Sequence, residues 1–305
     1  MKRVSSSGNS LSSMGMKEDG NTLNLVPSGE EGTLDFRLQH MMARHEHSTK
    51  VISTWHDIPL FVRDESTGKA LGPLNFVCEI PRCSRKKFEI ATTEPGNPIK
   101  QDEKKGKLRE FSKGDIFFNY GCFPRTWEDP EHVHPDTGYN GDNDPLDVCE
   151  IGLRIVATGD VRQVKVLGVL AMIDEGETDW KVIVIDVEDR WAPELNDIED
   201  VQRLLPGVVD SIREWFRTYK IPDGKPPNQF ALDEKCMGKQ YAQKVVNECH
   251  LSWRKLVGKA EAGEEVPRNL SVSKLSDLAA DIEPENVMDM DDGEEEEDYP
   301  ASLIA

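Results

Sequence analysis

The sequence predicts a mainly β, α+β protein in which a closed or partly open β-barrel carries helices packed outside it. Short runs rich in β-branched and aromatic residues fill most of the chain up to residue 187, with Gly- and Pro-containing turns between them. Apolar residues at helical spacing begin only near residue 198. Strands that precede the helices, instead of alternating with them, argue against a doubly wound parallel sheet.

Composition divides the 305-residue chain into three parts. Residues 1–50 are rich in Ser, Gly and Asn, with a short charged patch at 40–47, and predict a flexible N-terminal arm with one short helical turn. Residues 51–258 predict a single domain. Residues 259–305 predict a disordered acidic tail, because no Lys or Arg follows Lys274 and 12 Asp or Glu lie between positions 277 and 298.

Charge and hydropathy exclude several partners. The net charge is −20, and the tail contributes 12 of those negative charges, so binding to nucleic acid is not expected. No apolar run approaches the roughly 18 residues of a membrane span, and no secretory signal is present. The six cysteines form no C-x-x-C pair and suit a reducing compartment. We therefore expect a cytoplasmic protein, or an organellar one if the N-terminal arm is a transit peptide.

The predicted strands are short, numerous and antiparallel in character. They span residues 74–80, 87–91, 117–121, 146–151, 164–173 and 181–187. In the second of them Lys87 and Glu89 share one face, which indicates either solvent or a polar cleft. The Lys-rich stretch at 99–109 is interpreted as an exposed loop.

Three helices are predicted in the last third of the chain. The first spans residues 198–205 and can be capped by Asn196 or Asp197. Pro206 and Gly207 separate it from a second, which ends at the Pro-rich stretch 221–227. The third spans about residues 238–257 and has an apolar stripe.

The most informative stretch is GDNDPLDV at 141–148, where Asp142, Asp144 and Asp147 lie close together. Like charges at this spacing repel one another unless cations lie between them, and oxygen ligands suit Mg²⁺ or Ca²⁺. An EF-hand loop is excluded, because positions five and twelve hold Leu146 and Leu153. A solvated acidic turn remains the alternative on this stretch alone.

A second pair of acids extends the candidate site. The loop at 174–180 would place Asp174 and Asp179 at neighbouring strand ends, where they could share a cation. Basic and phenolic side chains occur at Lys87, Arg109, Tyr120, Lys181, Tyr219 and Lys220. Such a mixture suits a polyphosphate substrate whose oxygens are bridged by cations. Ordinary structural ion pairs are the alternative.

Seven motifs in order carry a family resemblance. They are VCEIPR at 77–82, KGKLR at 105–109, FPRTWEDP at 123–130, GDNDPLD at 141–147, DEGETDWK at 174–181, LNDIED at 195–200 and WFRTYKIPDGKP at 215–226. Together they resemble the soluble family I inorganic pyrophosphatases, and the later motifs resemble the eukaryotic, yeast-like branch. The resemblance covers about residues 51–257 and departs from that branch in a shorter segment at 110–118.

The resemblance implies a five-stranded OB-like barrel with flanking helices, and a homodimer. It also implies hydrolysis of pyrophosphate to two phosphates with three to four Mg²⁺ ions per site. On formal charges, the seven acids and four bases of the implied site leave it near −3. Without metal, it would repel its own substrate.

The resemblance further implies a role for each site residue. The implied metal ligands are Asp142, Asp147 and Asp179 for the tightest ion, with Asp174, Asp179 and Glu89 for the others. The implied substrate-binding residues are Lys87, Arg109, Tyr120, Lys181, Tyr219 and Lys220. The implied catalytic set is Asp144, which faces the attacking water, with Tyr120, Arg109 and Lys87. Glu79 is implied in the supporting network.

Two other function classes compete with this one. A non-enzymatic binding module is compatible with an OB-like barrel, although the acidic residues argue against an anionic ligand. A broader Mg²⁺-dependent phosphohydrolase acting on nucleotides is the second, although no P-loop is present to hold a nucleoside triphosphate.

Overall fold

The computed structural model describes residues 17–18, 21–44, 48–64, 66–263, 266 and 270–272. Its strands are β1 (Lys17–Glu18), β2 (Asn21–Ser28), β3 (Arg37–Arg44), β4 (Ser48–Val51), β5 (Phe61–Arg63), β6 (Ala70–Ile80), β7 (Phe88–Ile90), β8 (Ile99–Gln101), β9 (Glu103–Lys104), β10 (Lys107–Leu108), β11 (Asn119–Cys122), β12 (Asp147–Glu150), β13 (Val161–Asp174), β14 (Glu177–Asp186), β15 (Gln229–Phe230) and β16 (Met237–Gly238). The helices are α1 (Ile198–Leu204), α2 (Val208–Thr218) and α3 (Lys239–Glu261), with short 3₁₀ turns at Ile221–Asp223 and Leu232–Glu234.

Five strands close into a ring in the order β6, β11, β12, β14 and β13. The ring closes because the long strand β13 pairs with β14 along its length and with β6 through Val161–Val164. This confirms the predicted OB-like barrel with flanking helices. The prediction of antiparallel strands is wrong at one place, since β12 pairs with β14 in parallel. That pairing depends on barrel closure, which local sequence patterns do not report.

The N-terminal prediction is wrong for much of its length. Strands β2 and β3 pair with each other, and β3 continues through β8 into β7, so residues 21–44 belong to a second sheet. The start of the charged patch at 40–47 lies in strand β3. His40 is buried and its ring nitrogens lie 2.9 Å from Thr54 Oγ1 and from the carbonyl oxygen of Gly159. These strands are half-buried and carry polar residues on their outer faces, so composition alone did not indicate that they are strands. The first 16 residues lie outside the described part.

Alternating side chains give the barrel strands two buried faces. On β14, Trp180, Val182 and Val184 pack against α3, together with residues of β6 and β13. The intervening Ile183 and Ile185 pack against α1 and α2. Asp179 and Lys181 continue this second face toward the end of the barrel, because they share its parity along the strand. Asp179 and Lys181 therefore lie next to the apolar core that α1 and α2 cover.

The helices begin and end close to the predicted positions. Asp197 caps α1 in a capping box with Asp200, and its Oδ1 accepts hydrogen bonds from the backbone N–H groups of Ile198 (2.6 Å) and Lys239 (3.0 Å). The same carboxylate thus caps the start of α1 and of α3, whose own N-cap residue Gly238 makes no side-chain cap. No helix in the described part of the chain is long and apolar enough to span a membrane.

The predicted boundary of the C-terminal tail is too early. Helix α3 continues to Glu261, and Leu270 is buried in the core formed by the N-terminal sheet and α3. The N–H of Ser271 donates to the Thr92 carbonyl oxygen at 2.8 Å, and Asn97 Nδ2 donates to the Ser271 carbonyl oxygen at 3.0 Å. The acidic residues from 277 onward lie outside the described part.

Candidate active site

The acidic stretch at 141–147 is held by backbone pairing to the segment before it. The N–H of Glu128 donates to the Asp144 carbonyl oxygen at 3.0 Å, and the N–H of Asn143 donates to the Glu128 carbonyl oxygen at 2.9 Å. Gly141 is required here, since a Cβ would lie 2.4 Å from the Glu128 carbonyl carbon. The Asp144 N–H also donates to Asp142 Oδ1 at 3.0 Å. The run of acids is therefore a fixed turn.

The parallel pairing of β12 with β14 brings separate parts of the chain together. Asp147 begins β12 and lies opposite Lys181 on β14. The Lys181 ammonium, which is almost fully buried, contacts both Asp147 and Asp179 and lies 3.2 Å from the Tyr120 hydroxyl oxygen. Tyr120 in turn donates a hydrogen bond to Asp147. Four predicted site residues thus form one network.

The hairpin between β13 and β14 is tighter than predicted. Its turn is Glu175–Gly176, and Asp179 lies inside β14, opposite Met172. Asp174 stands at the strand end, where Lys220 Nζ lies 2.6 and 2.7 Å from its two oxygens and the Tyr219 hydroxyl lies 3.2 Å away. Sharing of one cation by Asp174 and Asp179 stays a prediction.

The opposite side of the site is formed by the segments around β7 and β10. Lys87 Nζ lies 2.5 Å from Glu89 and 3.0 Å from Asp102, and Arg109 contacts the same Asp102 oxygen. The Lys-rich stretch is a hairpin, β9 and β10, instead of a loop, because Lys104 pairs with Lys107 across a two-residue turn. The sequence did not single out Asp102, whose only signal was its position among the cations of this hairpin.

A second residue was also missed. Glu128, Asp142 and Asp179 each offer a carboxylate oxygen, and these atoms lie within 4.8 Å of one another. In the described residues this is the one such group of three acids. Glu128 lies within the FPRTWEDP motif, which was the only signal for it. Oxygen-only donors at this spacing fit a hard divalent cation.

The acids of the site are difficult to ionise together in the absence of metal. Burial raises the pKa of Asp179 to about 8, and repulsion by Asp147 and Asp174 acts in the same direction, although Lys181 opposes this shift. Desolvation by the surrounding protein, and then repulsion by Glu89 and Asp147, raises the pKa of Asp144 to about 7, although its side chain retains an exposed surface.

The remaining acids show the same direction of shift. Burial, followed by repulsion from neighbouring carboxylates, raises the pKa values of Asp142, Glu128 and Glu79 well above their usual range. Burial opposes ionisation of Lys87 and Lys181, yet the adjoining acids raise both pKa values. The site thus holds an excess of negative charge, and additional cations would stabilise its ionised form.

Aromatic packing fixes the end of α2 beside the site. The Tyr219 ring stacks on Trp215 at 5.3 Å between centroids, and Phe111 meets both rings edge-on. Lys113 Nζ donates to the carbonyl oxygens of Glu214 and Trp215 at 3.2 Å. The segment at 110–118 therefore packs against the end of α2 and against Tyr219.

The family comparison agrees with this geometry. The family model described as inorganic pyrophosphatase matches residues 76–254. An inorganic pyrophosphatase from Debaryomyces hansenii is 51% identical over 252 residues, which is 81% of this chain and 84% of the relative. The chain belongs to the inorganic pyrophosphatase family. As a member, it is an enzyme that hydrolyses inorganic pyrophosphate to two phosphates.

Further relatives and solved structures extend the comparison. An inorganic pyrophosphatase from Neurospora crassa is 54% identical over 234 residues, covering 75% of this chain and 79% of the relative. These fungal relatives agree with the predicted eukaryotic, yeast-like branch. A recombinant inorganic pyrophosphatase from Trypanosoma brucei brucei superposes with a TM-score of 0.77 at 44% identity, covering 82% of this chain and 74% of that one.

One solved structure holds a ligand. It is an N-terminally truncated vacuolar soluble pyrophosphatase of Trypanosoma cruzi in complex with PPi, with a TM-score of 0.74 and 42% identity. It covers 84% of this chain and 98% of that one. The shared fold therefore extends over nearly all of a family member that binds pyrophosphate.

Proposed function

We propose that this cleft hydrolyses pyrophosphate with three to four Mg²⁺ ions bound among its carboxylates. The observation that supports this most directly is the arrangement of charge. Asp142 and Asp179 belong to one group of acids, Lys87 and Arg109 pair with Asp102, and Lys220 pairs with Asp174. Acids that hold cations, flanked by bases that hold phosphate oxygens, suit a substrate with two linked phosphates.

Formal charge explains why cations are needed. The seven predicted acids together with Asp102 and Glu128 face four bases, which leaves about −5 when all are ionised. Oxygen-only donors suit Mg²⁺, which keeps several waters and binds substrate phosphates. When bound, such ions neutralise phosphate charge and lower the pKa of a coordinated water to about 7.

The chain's own residues supply the remaining steps. Asp144 is suited to orient the attacking water and accept its proton, because its carboxylate lies on the fixed turn beside Asp142. Lys87 and Arg109 bind one phosphate, and Tyr219 and Lys220 bind the other. Lys181 and Tyr120 lie between the two sides and stabilise charge that develops on the bridging oxygen.

A single assay tests this proposal. Phosphate release would be measured from pyrophosphate and from ATP, with Mg²⁺, with Ca²⁺ and with chelator. We expect rapid release from pyrophosphate with Mg²⁺ alone, and inhibition by Ca²⁺, which is larger and has looser geometry. Equal turnover with Ca²⁺, or faster release from ATP, would contradict the proposal.

We also propose that the enzyme is a homodimer of the cytoplasm, as expected for the eukaryotic branch. Light scattering of the purified full chain checks the first point, and imaging of a C-terminally tagged chain checks the second. A monomer at micromolar concentration, or import into an organelle, would contradict them.

A further inference from the structure

Glu128 is a buried acid in which one carboxylate oxygen has a hydrogen-bond partner and the other has none among the described residues. Only 3% of its surface is exposed. Its Oε1 accepts a hydrogen bond from the backbone N–H of Trp180 at 3.0 Å. Its Oε2 is buried and has no hydrogen-bond partner among the described residues. Leaving such an oxygen unsatisfied costs free energy, so its position calls for a ligand.

The carboxylate of Glu128 belongs to the acidic group already described. Glu128 offers an oxygen within 4.8 Å of those of Asp142 and Asp179. Two oxygens bound to one Mg²⁺ at about 2.1 Å lie about 3 to 4.2 Å apart in octahedral geometry. A small contraction of the group would therefore let all three oxygens reach the same ion.

Glu128 also links the two elements that carry the other ligands. Its backbone pairs with the turn that carries Asp142 and Asp144, through its N–H and its carbonyl oxygen. Its side chain binds the peptide N–H of Trp180, the residue next to Asp179 on β14. Its carboxylate is thus fixed in orientation before any cation arrives, which favours binding through lower ordering cost.

We propose that Glu128 Oε2 is a further ligand of the tightest metal ion, beside Asp142 and Asp179. This inference rests on the proposed metal site and adds a residue to which no role has been assigned. It distinguishes two functions of one side chain: Oε1 positions the site, and Oε2 binds the ion.

The test is Glu128→Gln, since the amide oxygen can still accept from Trp180 while the charge is lost. Mg²⁺ binding is measured by calorimetry without substrate, and thermal unfolding is measured in chelator. We expect Mg²⁺ affinity to fall at least about tenfold. We expect the melting temperature in chelator to stay equal or to rise, because one of several crowded negative charges is removed.

Glu131→Gln is the matched control. Glu131 lies three residues away, is exposed, and pairs with Lys259, so this change removes the same charge without touching the acidic group. Its Mg²⁺ affinity should match that of the wild type. If Glu128→Gln does not fold, Glu128→Asp keeps the charge on a shorter side chain and should bind Mg²⁺ more weakly than the wild type.

The outcomes separate the two levels of the proposal. A wild-type enzyme that binds no Mg²⁺ without substrate would overturn the metal site itself. A wild type that binds while Glu128→Gln or Glu128→Asp binds equally well would overturn only the role of Glu128. Weaker binding by Glu128→Gln together with a lower melting temperature in chelator would assign Glu128 to structure alone, and would also overturn it.

Discussion

Asp102 holds the two cations on one side of the cleft, Lys87 and Arg109, through a single carboxylate oxygen. Asp102→Asn removes the charge and weakens both contacts, so the two cations lose their fixed positions. Hydrogen bonds to charged groups are worth about 1.5–3 kcal/mol, so KM for pyrophosphate should rise about 10-fold or more with a smaller loss in kcat. Steady-state kinetics checks this. Asp115→Asn, at an exposed pair with Arg85, is the control. A KM within about twofold of wild type would mean that Asp102 does not position the cations.

Asp144 is the second residue with a specific expectation. Asn is nearly isosteric but neutral, so Asp144→Asn should keep the fold and lose the proton acceptor. General-base groups contribute about 10²- to 10⁴-fold, and turnover should fall by that order. The rate optimum should move to higher pH, because the water must then ionise unaided. Turnover is measured against pH at saturating Mg²⁺.

Asp147→Asn is the contrasting variant. Asp147 contacts Lys181 and Tyr120 and is predicted to bind metal, so its replacement should weaken Mg²⁺ binding and be partly rescued by excess Mg²⁺. Full rescue of Asp144→Asn by Mg²⁺, with an unchanged pH profile, would show Asp144 to be a ligand instead of the base.

At this scale the structure brings together most of the residues that the sequence singled out, and it adds two acids beside them. The sequence singled out residues within motifs, such as Asp142 and Lys181, because several charged side chains lie close together along the chain there. Apart from Arg109, the groups that contact Asp102 and Glu128 come close to them only through strand pairings and turns of the folded chain. The sequence therefore did not reveal these two acids. The roles assigned to the predicted residues stay predictions.

Among the elements, α1 and α3 depend on the same cap. Asp197→Ala removes the acceptor for Ile198 and Lys239 at the starts of these helices. Since one lost N-cap costs about 0.5–2 kcal/mol, unfolding free energy should fall by about 2 kcal/mol or more. Denaturant unfolding measures this. Asp210→Ala, exposed in the first turn of α2, should cost less than about 0.5 kcal/mol. Equal losses in the two variants would contradict the shared cap.

Elements with a strong periodicity of apolar residues were predicted well. Strands with one polar face were not. Helix α2 carries a complete apolar stripe, including Ile212 and Phe216, and its bounds follow from Gly207 and the Pro-rich stretch. Strands β2 and β3 bury only alternate residues such as Leu38 and Met42 against the domain. Their formation depends on that distant surface, so composition suggested an arm.

For the whole molecule, pH and metal should act on stability in a coupled way. Folding raises the pKa of Asp144 to about 7 and of Asp179 to about 8, against about 3.9 when unfolded. These two acids bind more protons in the folded metal-free protein than in the unfolded chain in this window, so their contribution to stability falls as pH rises from about 4 to about 8. The proposed Mg²⁺ ions would bind the deprotonated acids and offset this loss.

We therefore expect Mg²⁺ to raise the melting temperature more at about pH 9 than at about pH 7. Both pH values lie above the range in which the buried histidines His40 and His250 titrate, because burial lowers the pKa of each to about 4. Thermal unfolding with and without chelator at each pH measures the difference. K⁺ at matched ionic strength is the control, and an equal gain at both values would contradict the coupling.

The acidic tail should contribute little to the catalytic domain. Truncation after Lys274 keeps Leu270, which is buried in the core, and removes the 12 acids between residues 277 and 298. Such a composition cannot bury enough apolar surface to form a core. Turnover should stay within about twofold of the full chain, with a similar melting temperature. A large loss of either, measured side by side, would show that the tail packs on the domain.

Closure of the barrel ring has a further consequence for the protein in a cell. The acids of the site come from distant parts of the chain, and they meet only when β12 pairs with β14 and β13 closes onto β6. A divalent ion that binds this assembled site favours the closed form over every open one. Proteases cut chains in which the barrel is open. The fraction of such open chains rises as the concentration of the free ion falls. A cell short of that ion would then lose the polypeptide itself by degradation, in addition to its activity.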